Sequence, residues 1–162
     1  VLNSTLEPQE IMSWLKAILK NESKTILNKA VSFKQPPEKE MIIARFEPVY
    51  MGWANRNLVR NAAIHARSCV QVVVERDDAS VFIHVDDDGP GIPEDKRESI
   101  FDPFVRLDES RNRKSGGYGL GLAIAKRIAV WHGGSIEVTH SSMKGSRFSL
   151  IIPMTEPGAG AV

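Results

Sequence analysis

A carboxylate closing an apolar strand, two amides one helical turn apart, and glycines leading into a helix are the groups in this chain whose types and spacing could do chemistry. The carboxylate lies in Val81 to Gly91, VFIHVDDDGPG. Alternate residues of a strand share a face, so Val81, Ile83, Val85 and Asp87 point one way, and Phe82, His84 and Asp86 make the outer face. A carboxylate on an apolar face is costly unless something pairs with it. An ionised carboxylate only accepts hydrogen bonds, so an adenine amino group would suit Asp87. Gly89 and Gly91 would let the backbone turn and approach a ligand with no Cβ in the way. A plain turn capped by Asp87 fits the same residues.

The amides are Asn57 and Asn61 of NLVRN, stacked at i and i+4 on one helix face, with Leu58, Ala62 and Ala66 turned inward. Asparagine is a mediocre helix former. The Asn61 oxygen could ligate Mg²⁺, a hard ion that keeps several waters and binds mainly through phosphates; a solvated polar stripe is the plainer account. The glycines lie in Gly116-Gly117-Tyr118-Gly119-Leu120-Gly121-Leu122, before a helix whose stripe Leu120, Ile124, Ile128 and Trp131 reads as core-facing. Flexible glycines followed by free helix amides make a phosphate cradle, although the strand-turn-helix context of a dinucleotide fold is missing. Arg106, Arg111, Arg113 and Lys114, opposed by Asp108 and Glu109, form a basic loop suited to a lid, or a solvated charge run.

The elements that must position these groups follow from periodicity and punctuation. Ile11, Trp14, Leu15, Ile18 and Leu19 predict an amphipathic helix from Pro8. Ser23 to Lys34 and, after Pro36-Pro37, Met41 to Phe46 predict strands. A helix is expected from Pro48 to Ala66, and a hairpin of Val70–Arg76 with Val81–Asp87. A further helix is expected from Gly119 to Trp131, then strands Ser135–His140 and Arg147–Ile152 about a Lys144-Gly145 turn. Hairpins mixed with helices predict an α+β fold with a largely antiparallel sheet.

Composition narrows the function classes. The 42% apolar and 25% charged content is that of a globular chain, which argues against a disordered or collagen-like one. A net charge of +1 gives no global pull toward nucleic acid or membrane. The one cysteine, Cys69, excludes an internal disulfide and a multi-cysteine zinc site; it reads as a buried strand residue. No apolar run reaches the ~18–20 residues of a membrane span, so the stretch is expected to be a soluble domain. His84, His132, Trp14 and Trp131 read as structural.

In order and spacing these segments resemble the GHKL superfamily, and within it the ATP-binding catalytic domain of bacterial sensor histidine kinases, looking most like the RstB-type kinases. The N-box is Asn57 to Asn61, the G1 box DDGPGIP, and the F-box Phe101-Asp102-Pro103-Phe104 with VRLDESRNRKSGG as the ATP lid. GGYGLGLAIAKRIAVWHGG matches the G2 box, and Gly145-Ser146-Arg147-Phe148 the closing G-x-F element. The resemblance is dense from Asn57 to Pro153 and looser at the Trp14-Leu15 helix. It implies a two-layer α/β sandwich (the Bergerat fold), with a mixed, mostly antiparallel sheet on three helices, spanning 8–153 between a lead-in at 1–7 and a tail at 154–162. By resemblance Asp87 accepts from adenine N6, Asn61 ligates Mg²⁺, Asn57 supports the phosphates, and Arg106 contacts the γ-phosphate. Gly89, Gly91, Ile92, Gly117, Tyr118, Gly119, Leu120, Gly121 and Leu122 shape the nucleotide pocket. Arg111 belongs to the lid, Phe101 and Phe104 anchor it, and Ser146 stands near the adenine where threonine is usual.

The resemblance also implies Mg-ATP as cofactor and substrate, and a phosphoacceptor histidine on a separate dimerisation domain. A cognate response regulator, a homodimeric full-length protein and a parent in the bacterial inner membrane with this part cytoplasmic are further implications. None of the four histidines at 65, 84, 132 and 140 lies in the acceptor context His-Glu/Asp-Leu-Arg-x-Pro. The pattern departs from the family at Ile64 and His65, where a basic residue and then Tyr or Phe are usual; a lost contact is replaced by Arg60 or His65, or by neither. Two other functions remain open. A clamp ATPase of the gyrase, Hsp90 or MutL kind needs a glutamate base where Asn57 stands, and a non-catalytic nucleotide-binding module would use the same fold.

Overall fold

The computed structural model describes residues 6–20, 25–26, 28–34, 41–106 and 119–154. Strand β1 (Glu7–Glu10) leads directly into helix α1 (Ile11–Leu19), followed by β2 (Thr25–Ile26), β3 (Lys29–Lys34), β4 (Ile43–Phe46) and helix α2 (Pro48–His65). After the hairpin β5 (Cys69–Arg76) and β6 (Ser80–Asp87) come two 3₁₀ turns, Glu94–Lys96 and Ser99–Phe101, then helix α3 (Gly121–Trp131) and strands β7 (Ser135–His140) and β8 (Ser146–Pro153). The main sheet has the order β2-β3-β5-β6-β8-β7. Only β3 and β5 pair in parallel; its other neighbours are antiparallel. This is the α+β sandwich expected from the sequence.

Alternation builds the core. Val70, Val72 and Val74 of β5, Val81, Ile83 and Val85 of β6, and Phe148, Leu150 and Ile152 of β8 lie on one face in cross-strand register, each at most 1% exposed. Onto that face α1 turns Ile11, Leu15 and Leu19, α2 turns Met51, Ala54, Leu58 and Ala62, and α3 turns Ala125, Ile128 and Ala129. Each large aliphatic buried there contributes about 1.5–3 kcal/mol. Glu47 caps α2 by accepting from Tyr50 N at 2.7 Å, with Pro48 at the helix start. His132 ties α3 to that cap: its Nε2 accepts from Glu47 N at 3.0 Å, and its Nδ1 donates to Ile128 O at 2.7 Å. A carbonyl can only accept and an amide N–H only donate, so these partners require the neutral Nδ1–H tautomer.

Several elements differ from their sequence reading. Helix α1 starts at Ile11, not Pro8, because Glu7–Glu10 pairs antiparallel with β4 and Glu10 then caps the helix through Met12 N and Ser13 N. Ser23 to Lys34 is not one strand: Asn28 adopts φ 63°, in the left-handed region, and divides β2 from β3. The Met41 to Phe46 strand begins at Ile43 and pairs with β1 outside the main sheet. Leu120, Ile124 and Trp131 are not core-facing but 37%, 42% and 44% exposed. The buried side of α3 is the alanine-rich one, whose short side chains let the helix approach α2 closely. Trp131 instead meets Tyr50 edge-on at 6.1 Å beneath Arg127. Among the described residues no helix is long and apolar enough to cross a membrane.

Asn55 is the discordant residue of the α2 core. It is 1% exposed, and its Nδ2 donates to Met51 O at 2.8 Å. Its Oδ1 has no hydrogen-bond partner among the described residues. Asn55→Leu is expected to raise unfolding stability by about 1–2 kcal/mol, by relieving a buried unpaired acceptor. Urea unfolding midpoints of the two proteins measure it, and an unchanged or lower midpoint contradicts the assignment.

Candidate functional site

At the end of β6 the apolar face closes on Asp87, 2% exposed. Its Oδ1 accepts from Gly89 N at 2.9 Å and Ser146 N at 3.2 Å. Both bonds fall on one oxygen, so Oδ2 keeps acceptor capacity for a ligand. Burial pushes the Asp87 carboxyl above the usual aspartate range, against the opposing pull of those two amides.

The backbone crowds around this carboxylate. A Cβ on Gly89 would fall 2.4 Å from the His65 carbonyl oxygen, and one on Gly145 would fall 2.3 Å from both the carbonyl oxygen and Oδ1 of Asp87. Only glycine admits these approaches. Gly91, at φ +76°, turns the chain into the half-buried Ile92, which packs on the core. Asp87, Gly89, Gly91, Ile92 and Ser146 are thus brought together at one end of the sheet. Gly145 opens the closing G-x-F element of the sequence reading, which gave it no place in the nucleotide pocket; Lys144 before it adopts φ 75°.

Asp88 was also missed. Facing away from Asp87, it accepts from Arg67 N at 2.8 Å, Ser68 N at 3.0 Å, Cys69 N at 3.3 Å and the Ser68 hydroxyl. The Ser68 hydroxyl and then Ser68 N, with Arg67 and Cys69 adding to them, hold its carboxyl far below the aspartate range. This clasp fastens the end of β6 to the connection between α2 and β5, next to the point where the His65 carbonyl meets Gly89. Cys69 is half-buried, with its Sγ 3.5 Å from Asp88 Oδ2.

The amides and the glycine helix meet on the other side. Asn57 and Asn61 are half-buried on one face of α2. A Cβ on Gly121 would lie 3.2 Å from Asn57 Oδ1, so α3 begins over Asn57. Its N-cap, Leu120, makes no side-chain capping bond, so its side chain does not compete with an anion for the first-turn amides. Leu122 packs against the core. Ile64 is half-buried, while Arg60 and His65 are exposed.

The F-box residues divide. Phe101 is an anchor, 6% exposed, edge-on to Phe148 at 6.1 Å and under Lys126. Phe104, with φ 66°, is 71% exposed. Its backbone does the holding, through Phe104 N to Gly119 O at 3.0 Å. A Cβ on Gly119 (φ +74°) would fall 3.0 Å from Phe104 Cα. Arg106 is exposed beside this stem. Arg111, Gly117 and Tyr118 lie outside the described residues.

On the outer face of β6, His84 is structural, as read from the sequence, and Asp86 is buried beside it. His84 and Asp86 are 7% and 0% exposed. His84 places Nδ1 2.7 Å from the Ser149 hydroxyl and Nε2 3.2 Å from Glu75 Oε2, and burial lowers its basicity with Arg147 adding to the effect. Asp86 is gripped by Arg147 through two bonds. Among the described residues no group of three or more His, Cys, Asp or Glu could hold a metal ion. Asn57 and Asn61 offer amide oxygens to a metal at this site.

Residues 53–156 match the family described as histidine kinase-, DNA gyrase B-, and HSP90-like ATPase. Sensor protein RstB of Escherichia coli (strain K12) is 45% identical over 98 residues, covering 60% of this chain and 23% of that protein. Sensor histidine kinase CpxA of the same strain is 42% identical over 101 residues, covering 62% of this chain and 22% of that protein. The matched stretch is thus under a quarter of either relative. The solved ATP binding domain of PrrB from Mycobacterium tuberculosis has a TM-score of 0.76 at 26% identity, over 94% of this chain and 100% of that one. The histidine kinase domain of the E. coli osmosensor EnvZ has a TM-score of 0.67 at 28% identity, over 99% and 96%.

The Asp88 clasp has a pH signature. A carboxyl whose folded pKa is depressed stabilises the fold above its unfolded value, and that stability is lost as pH falls. Asp88→Ala is expected to lower the urea midpoint at neutral pH, with the gap to wild type narrowing below about pH 4. A gap independent of pH would contradict the clasp.

Proposed function

The chain belongs to the histidine kinase-, DNA gyrase B- and HSP90-like ATPase family, and on that premise we propose that it is the ATP-binding catalytic domain of a sensor histidine kinase. The observation that carries this is the Asp87 carboxylate, buried at the end of an apolar strand face and held on Oδ1 alone. Oδ2 is matched to a hydrogen-bond donor, and the adenine amino group is one. Gly89 and Gly145 bring backbone close enough to bound the base. From there the phosphates run toward Asn57, Asn61 and the start of α3, where Leu120 makes no capping bond and the first-turn amides and helix dipole favour negative charge.

A neutral amide oxygen suits Mg²⁺, a hard ion that takes most of its ligands from phosphate and water. Asn61 would hold it, with Asn57 supporting the phosphates, and the ion would neutralise charge on the transferring group. Arg106, exposed at the stem of the lid, is the candidate contact for the γ-phosphate; Arg111 belongs to the same lid. Phosphoryl transfer needs mostly positioning and charge stabilisation. Here Asp87 fixes the base, the glycine backbone excludes water from it, and the α2 amides aim the phosphate chain.

The acceptor is a histidine nitrogen of a separate dimerisation domain: a P–N bond forms, the bond to the β-phosphate oxygen breaks, and ADP leaves. Within this chain His84 and His132 are buried and bonded. The full-length protein is then a homodimeric inner-membrane sensor that passes the phosphoryl group to a response regulator, with this domain in the cytoplasm and no nucleic acid as partner. Within it, 8–153 is the catalytic domain, 1–7 its lead-in and 154–162 a tail.

Calorimetric titration of ATP and GTP with and without Mg²⁺ tests this. ATP is expected to bind in preference to GTP, and Asp87→Asn to weaken ATP binding by about 1.5–3 kcal/mol, the cost of a lost hydrogen bond to a charged group. Absence of ATP binding at millimolar nucleotide, or an unaffected variant, would overturn the reading. Asn61→Ala is expected to abolish the difference between titrations with and without Mg²⁺, whereas an undiminished Mg²⁺ effect removes Asn61 from the metal site.

A further inference from the structure

Asp86 and Asp87 are consecutive on β6, so they leave the backbone on opposite faces of the sheet. Asp86 pairs in register with Arg147 of β8, the final register pair of that ladder before the strands part at the site. The guanidinium grips the carboxylate at two points, Nε to Oδ1 at 2.7 Å and the terminal nitrogen to Oδ2 at 2.8 Å. Such a fork fixes an angle as well as a distance. The bonds to Asp86 in turn raise the Arg147 guanidinium above its ordinary value. A buried ion pair is seldom the most stabilising choice for a site, because desolvation offsets its attraction. Its geometric rigidity is what an apolar pair could not supply.

One residue along, on the opposite face, Ser146 N donates to Asp87 Oδ1 at 3.2 Å. Ser146 adjoins Arg147 and Asp87 adjoins Asp86, so the ion pair and this hydrogen bond span the same two strand ends. We propose that Asp86 and Arg147 are a positioning pair for the nucleotide site, holding the ends of β6 and β8 in register from the face the nucleotide never touches, so that Ser146 N stays on Asp87 Oδ1 and Oδ2 stays turned to the base. This rests on Asp87 being the adenine contact. Loss of the pair loosens the base end of the site and leaves the phosphate end, built on α2 and α3, intact. The pair therefore sets base discrimination rather than grip on the triphosphate.

ATP and GTP affinities, with thermal unfolding alongside, are to be measured for wild type, Arg147→Met, Arg147→Lys and Ser149→Ala. Arg147→Met is expected to lower the ATP-over-GTP preference about tenfold, the equivalent of one misaligned hydrogen bond, with GTP affinity unchanged. Arg147→Lys keeps the charge without the fork, and its preference is expected to fall between wild type and Met. Ser149→Ala breaks the contact to His84 on the same face of the same strand; it is expected to lower stability and keep the preference. A wild-type preference in either Arg147 variant overturns the proposal, as does an equal loss in Ser149→Ala, which would reduce the effect to general strand stability. Should Arg147→Met fail to fold, the lysine variant decides by the same criterion. A wild type that does not distinguish ATP from GTP defeats the adenine reading itself, before any variant is made.

Discussion

A charge at the end of an apolar strand is the constraint from which the rest of this site follows. Asp87 continues the face of Val81, Ile83 and Val85 and so is carried to the rim of the core by the same alternation that builds it. There a carboxylate must find donors. The fold supplies two backbone amides, from Gly89 and Ser146, both to the same oxygen. Bringing those amides within reach forces the chain so close on itself that a methyl group at Gly89 or Gly145 would collide with backbone. The glycines are thus a consequence of the carboxylate, and the opening left at Oδ2 is a consequence of both.

Three consecutive aspartates meet three different fates because of where the backbone turns them. Asp86 is neutralised by a guanidinium on the outer face. Asp87, on the inner face, has only amide partners, and burial holds its carboxyl above the usual aspartate range. Asp88, past the end of the strand, collects a hydroxyl and amides from Ser68, Arg67 and Cys69, which hold its carboxyl below the usual aspartate range. The residue kept partly unsatisfied is the one placed to meet a ligand, while its neighbours stabilise the scaffold around it.

Much of this was legible in the residue order. The valine-rich alternation of β5 and β6, the capped α2 and the stacked Asn57 and Asn61 are local features, and local features survive reading one residue at a time. What failed was non-local. Glu7–Glu10 carries no strand signature; it is a strand because β4 lies beside it. The inward face of α3 was misassigned because LAIAKRIAVW is apolar almost all round, and close packing chose the alanines over Leu120 and Ile124. For His84 and Asp86 alternation assigned a face but not the partners that Ser149, Glu75 and Arg147 bring across strands.

The Phe104–Gly119 stem has a bearing on how such a domain can diversify. A backbone bond joins the two ends of the intervening segment, with Gly119 stacked against Phe104 Cα. The entropy of closing such a loop rises only by about 0.6 kcal/mol for each doubling of its length. A change in the length of the stretch between the stem residues therefore costs the sandwich little, so that selection on this stretch acts through the nucleotide chemistry of its residues, Arg106 among them, rather than through folding.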